Sequence, residues 1–341
     1  MSVDELELTA PAPCENSYLA GHAETERLFV DAFGGGRLAH AWLITGPRGI
    51  GKATLAFRLA RFILAQKSGA PVNEAALEMA PSDPLFRRIA SGGHADLLVV
   101  ERAVDPKTEK RRTEITVDNV RNVKGFLSKT PAEGGWRVVI VDAADEMNAN
   151  AANALLKVLE EPPARALLLL VAHNPGRLLP TIRSRCRKLT AKPLSDETVG
   201  DLLGRYRPDL DAADRQTLVA LAEGSIGRAL AYADEEGMGL YREAIKLLDN
   251  MPGVDVQAVH KFADTAVRDT TGEAFRSVGD LVRWWLARRV AEGVSGTVGA
   301  LDPWFEVWEK VTRLFERADS VNLDRKQVIL NAFLAIDAAG R

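Results

Sequence analysis

The chain has 341 residues, 46% hydrophobic and 27% charged, with a formal net charge of -3 and two cysteines, Cys14 and Cys186. At roughly 150 residues per domain this length carries two or three domains. The near-neutral charge argues against an overall basic nucleic-acid binder, and two cysteines exclude a disulfide framework or a four-cysteine zinc site. The longest wholly apolar run, residues 166–172, is too short to span a bilayer. The chain starts with Asp4, Glu5 and Glu7 and not with a basic, then apolar, leader, so a cytoplasmic location is expected.

The first strand-like run is His40-Ala41-Trp42-Leu43-Ile44-Thr45. It leads into Gly46-Pro47-Arg48-Gly49-Ile50-Gly51-Lys52-Ala53, then a helical pattern carrying Leu55, Phe57, Leu59, Phe62, Ile63 and Leu64. Strand, glycine-rich turn, lysine and helix form the context of a phosphate-binding loop. Residues 66–94 read as loop-rich, with Ser68-Gly69, Pro71, Pro81, Pro84 and Ser91-Gly92-Gly93. A second strand is expected at 96–101, a polar basic stretch at 104–113 and a helix at 115–128. After a Gly134-Gly135 turn come a third strand at 136–142, a helix at 150–161 stopped by Pro162-Pro163, and a fourth strand at 166–172. Such alternation predicts an α/β fold, a parallel sheet covered by helices on both faces.

From Pro193 the strand signals fade. A helix start is read at Ser195-Asp196-Glu197, then short helices broken at Pro208 and at Gly224-Ser225-Ile226-Gly227. Residues 252–341 are helical in pattern, with breaks at 293–299 and at Pro303. Three domains follow: 1–190, 191–250 and 251–341.

In the phosphate-binding loop, glycines let backbone N–H groups converge on phosphate oxygens, and the helix N-terminus adds a positive dipole. Lys52 supplies an ammonium for the outer phosphates. The motif then calls for a Ser or Thr hydroxyl on Mg2+, but Ala53 stands there, and a methyl group cannot ligate a hard cation. Thr54 lies about 100° further round an ideal helix and is a poor substitute. Asp142 ends an apolar strand, as the metal-holding acid of such folds does. Its plainer reading is a strand-end cap; beside the loop, the vestigial metal site is favoured. The next residue, where a water-orienting Glu is common, is Ala143, and Asp145 and Glu146 are assigned to a loop or helix start. Binding parts remain while two parts of hydrolysis are missing.

Three segments carry a resemblance: Leu155-Leu156-Lys157-Val158-Leu159-Glu160-Glu161-Pro162-Pro163, Ala172-His173-Asn174-Pro175, and Leu179-Pro180-Thr181-Ile182-Arg183-Ser184-Arg185-Cys186. Together they resemble the clamp-loader branch of the AAA+ ATPases, over about residues 22–230 and again at 322–326. The resemblance implies an AAA+ nucleotide-binding domain, a helical lid and an all-α C-terminal collar. It implies that Arg185 reaches in trans into a neighbour's ATP site, that Asn174 is a polar sensor, and that Arg228 holds a second sensor position in the lid. It implies a pentameric ring with gamma or tau and delta subunits, which places the beta sliding clamp on primed DNA, with no autonomous ATPase or polymerase activity in this chain. ATP or ADP would bind weakly at most, through Gly46 to Thr54, with Mg2+ only alongside nucleotide. Zinc is not expected: relatives often carry a cysteine-based module after the loop helix, and here that stretch offers only His94.

Lys107, Lys110, Arg111 and Arg112 read as a solvated loop, since Glu114 follows. Arg283, Arg288 and Arg289 flank Trp284-Trp285, a mixture suited to a subunit interface before DNA. The rival readings are a self-sufficient AAA+ ATPase and a P-loop kinase; the Ser-Arg-Cys segment and the long helical C-terminal third oppose the kinase.

Overall fold

A computed structural model describes residues 10–66, 71–104, 112–133, 135–233, 235–268, 272–293, 302–320 and 323–340. The acids at 4–7, Ser68-Gly69, Lys107, Lys110, Arg111, Gly134, most of the 293–299 break and Asn322 lie outside the described residues. By internal packing the chain forms two units: residues 1–206 with 223–227, and residues 207–222 with 228–341.

The first unit contains α1 (Ala23–Gly34), β1 (Ala41–Thr45), α2 (Lys52–Leu64), α3 (Pro84–Ala90), β2 (Leu97–Glu101), α4 (Val117–Leu127), β3 (Arg137–Asp142), α5 (Ala149–Glu160), β4 (Ala166–Ala172), α6 (Pro180–Arg185), β5 (Arg187–Thr190) and α7 (Asp196–Tyr206). Its five strands form one parallel sheet in the order β2-β3-β4-β1-β5. Successive side chains on a strand face opposite ways. Leu43, Val139, Val141, Leu168 and Leu170 therefore pack with α4, α5 and α6 through Val120, Val123, Leu155, Leu159 and Ile182. Trp42, Ile44, Ile140, Leu169 and Val171 pack on the other face with α1 and α2 through Phe29, Leu55, Leu59 and Phe62. Burial on both faces is why β1, β3 and β4 read as unbroken apolar runs.

Two elements correct the sequence reading. The 66–94 stretch holds helix α3, because Asp83 caps it by accepting from Leu85 N at 2.7 Å and Pro84 takes the first helical position, where its missing N–H costs nothing. β5 was not expected; it is an edge strand in which only Leu189 is buried. Elsewhere the caps explain the boundaries: Thr116 and Asn119 form a capping box for α4, and the Asn148 side chain accepts from Ala151 N at 3.0 Å to start α5.

The second unit contains α8 (Ala212–Ala222), α9 (Ile226–Tyr232), whose first two residues belong to the first unit, α10 (Glu235–Asp249), α11 (Val256–Ala266), α12 (Glu273–Gly293), α13 (Asp302–Ser320) and α14 (Arg325–Ala339). Pro303 lies in the first turn of α13, where proline is tolerated, and does not interrupt a helix. Phe262 meets Phe333 with ring centroids 5.6 Å apart, joining α11 to α14. The buried Asp337 carboxylate accepts from Gly253 N at 2.6 Å and Val254 N at 3.0 Å. Trp285 is buried and donates to Asp249 at 3.2 Å, with the Arg289 guanidinium 4.9 Å from its ring centre, so half of the Trp-Trp pair serves packing. Among the described residues no helix is long and apolar enough to cross a membrane.

Candidate nucleotide site and the arginine of α6

The loop between β1 and α2 sits at the C-terminal ends of the strands, the edge at which open α/β sheets bind ligands. Gly46 takes φ +150°, and a Cβ there would lie 2.4 Å from the Ala191 carbonyl oxygen, so the turn requires glycine. Five consecutive carbonyls, Pro47 to Gly51, each accept a hydrogen bond. Lys52 Nζ donates to Pro47. Ser225 Oγ donates to Arg48 at 2.9 Å, and Gly227 N to Gly49 at 2.8 Å. His22 Nε2 lies 2.6 Å from the Ile50 carbonyl, and Leu55 N donates to Gly51 at 2.9 Å. These five acceptors are thus engaged within the protein, and Gly-Ser-x-Gly, read as lid, supplies two of the five contacts.

Lys52 is buried, at 3% exposure. Desolvation lowers its pKa to about 8, against the opposing pull of Asp142 and then Asp145. Asp142, half-buried at the end of β3, has its carboxyl pushed up by burial first, then by Glu146 and Glu101. The sequence assigns Asp145 to a loop or helix start, and the second of these is what forms. It is buried in the short 3-10 turn Ala144–Glu146, and its carboxylate accepts from His173 N at 3.0 Å and Asn174 N at 2.8 Å. It thereby ties the end of β4 to the end of β3. Glu146 pairs with Arg102 at 2.8 Å. His173 is held well below the ordinary imidazole value by burial and then by Lys52.

The metal half of such a site is poorly provided. Ala53 is half-buried with no hydroxyl, Thr54 is buried, and Ala143 is 2% exposed. The residues present fit phosphate oxygens better than they fit Mg2+. Asn174 is exposed, and its side chain accepts from Gly176 N at 3.1 Å in a local turn. Arg228 belongs to the second unit and pairs there with Asp280 at 3.4 Å.

Arg185 ends α6, which packs through Ile182 into the helical layer opposite α2. Its guanidinium is exposed, donates from Nη1 to the Thr181 carbonyl at 3.0 Å, and lies 2.9 Å from the Glu160 carboxylate. Arg183, two residues earlier, is half-buried and turns to the Pro175 carbonyl at 3.5 Å. Sequence reasoning missed Glu160, His22, Ser225 and Asp145 as partners. Glu160 and Ser225 lay inside recognised motifs; His22 and Asp145 lacked any local signal.

A loop after β1, an acid ending β3, a polar turn after β4 and a helix-end arginine on a parallel β2-β3-β4-β1-β5 sheet define a P-loop protein of AAA+ type. A sequence profile of the family described as DNA polymerase III, delta subunit, matches residues 21–195, and the chain belongs to that family. The chain is 42% identical over 194 residues to DNA polymerase III subunit delta' of Pseudomonas aeruginosa, covering 56% of this chain and 55% of the relative. It is 36% identical over 167 residues to subunit delta' of Bacillus subtilis, covering 49% and 46%. It is 30% identical over 213 residues to subunit tau of the same organism, covering 62% and 33%. The chain spans about half the length of the delta' relatives it matches. These matches agree with the narrower resemblance to delta-prime carried by the Glu-Glu-Pro-Pro and Ser-Arg-Cys segments.

Proposed function

We propose that this chain is a clamp-loader component of the DNA polymerase III assembly. It would sit in a pentameric ring with gamma or tau and delta subunits and help place the beta sliding clamp on primed DNA. Its part is to donate Arg185 to the ATP site of a neighbouring subunit while hydrolysing little or no ATP itself. Residues 191–250 act as the lid and residues 251–341 as the collar of that ring.

The observation that carries this reading is one contrast. The chain keeps an exposed guanidinium at the end of α6, while its own site has alanine at both positions that serve metal and water, Ala53 at the start of α2 and Ala143 after β3. A guanidinium steadies charge developing on a transferred phosphoryl group without needing a site of its own. Asp142 and Asn174 are the remaining candidates around any nucleotide held by Gly46, Pro47, Arg48, Gly49, Ile50, Gly51 and Lys52, and Arg228 keeps only the sensor role that the family resemblance implies. A weakly bound ATP or ADP would serve structure more than turnover.

The test is co-purification with gamma or tau and delta subunits, followed by DNA-dependent ATPase of the assembly with and without this chain. Co-purification with a rise in rate supports the reading; failure to join the subunits sinks it. The rival, a self-sufficient ATPase, draws on the intact loop and Lys52, and predicts steady turnover by the chain alone.

A further inference from the structure

We propose that Glu160 is the positioning residue for Arg185, an inference that rests on the trans-acting role proposed above for that arginine. Glu160 is the last residue of α5 and Arg185 the last of α6. The two helices share one packed layer, in which Leu155, Leu159 and Ile182 are buried. The apolar contact thus fixes the two helix ends, and the charged pair inherits that alignment. Glu160 Oε1 then stands 2.9 Å from Arg185 Nη2, while Nη1 donates to the Thr181 carbonyl at 3.0 Å.

A surface arginine samples many rotamers, and each must be given up before its fork can meet an oxyanion. Here two contacts within the chain restrict the guanidinium beforehand, which is the preorganisation a transition state rewards. A guanidinium has five N–H donors, so a carbonyl on one side and a carboxylate on the other leave donors for an incoming phosphate. Side-chain exposures of 36% for Arg185 and 49% for Glu160 keep the pair accessible and weak enough to be shared. Glu161, the adjacent residue, is the C-cap of α5. The two glutamates of one motif thus have different roles.

The experiment is steady-state ATP hydrolysis by the assembled loader on primed DNA, across ATP concentration, with assembly of each variant checked by gel filtration. Glu160→Gln should lower kcat about two- to fivefold, the range an exposed pair can supply, with KM for ATP little changed. Glu160→Asp should recover part of the loss, and Glu161→Gln should match wild type. Glu160→Gln added to Arg185→Ala should change nothing further. If Arg185→Ala itself has no effect, the trans-arginine reading fails and this inference with it. If Arg185→Ala slows turnover while Glu160→Gln matches or exceeds wild type, the positioning role is overturned and the arginine reading stands. Loss of assembly in both Glu160 variants would show a structural role and overturn the proposal equally.

Discussion

Lys52 is the residue whose chemistry works against the fold. Its ammonium is buried, and desolvation holds its pKa near about 8 against the ordinary 10.5. At about 1.4 kcal/mol per pKa unit, the charged form in the folded protein is disfavoured by about 3 kcal/mol relative to the unfolded chain. Between pH 8 and 10.5 the unfolded chain binds the proton that the folded chain has released, so this contribution makes stability rise with pH across that window. Lys52→Met keeps the volume and removes the charge. Removing the charge alone should stabilise the variant by about 3 kcal/mol at pH 7, a gain that shrinks to about 1 kcal/mol at pH 9.5. Losing the donor to Pro47 O trims the gain by about 1 kcal/mol at both pH values. The assay is urea unfolding at the two pH values, read by amide hydrogen exchange on peptides from β1 and β4. A gap that does not change with pH, or a variant less stable than wild type at pH 7, would refute the reasoning.

Three further outcomes are expected. The purified chain should hydrolyse ATP negligibly, because Ala53 and Ala143 replace the metal ligand and the water-orienting acid; turnover that Lys52→Ala abolishes would count against this. Asp145→Ala should destabilise the first unit by about 3 kcal/mol, since it strands the His173 and Asn174 amides that its carboxylate pairs, and faster exchange at the end of β4 would report it. Cys186, buried and pushed up to about 12, should resist iodoacetamide at pH 8 in the folded protein; Cys14, only half-buried, should react first, as peptide mapping would show.

The sequence disclosed what depends on neighbours in the chain. β1, β3 and β4 were legible because burial on both faces leaves no polar residue inside them, and the loop was legible because its chemistry is contiguous. β5 was hidden because an edge strand keeps Arg187 and Lys188 in solvent and buries only Leu189. α3 was hidden because Pro84 signals a break and a helix start equally well. Within the site, Asp145 could not be read because its partners, His173 and Asn174, are 28 and 29 residues away. The bond from Ser225 to Arg48 spans 177 residues and follows no spacing rule. Glu160 stands in the sequence as part of a motif, but its contact with Arg185 needs α5 and α6 laid side by side.

Replacing Arg185 with Ala in the assembled loader probes the proposed function most directly. Arg185 is exposed and outside both cores, so folding and assembly should stay nearly intact. The DNA-stimulated ATPase rate and clamp loading should both fall. An arginine supplied in trans can be worth roughly 10³ or more at one site, and the loss over a ring with several sites should be smaller. Arg185→Lys should rescue poorly, because charge returns without the planar fork. Arg183→Ala, whose guanidinium turns toward Pro175, should do less. Equal and small effects at 183 and 185 would contradict the trans-acting role and leave Arg185 a surface charge.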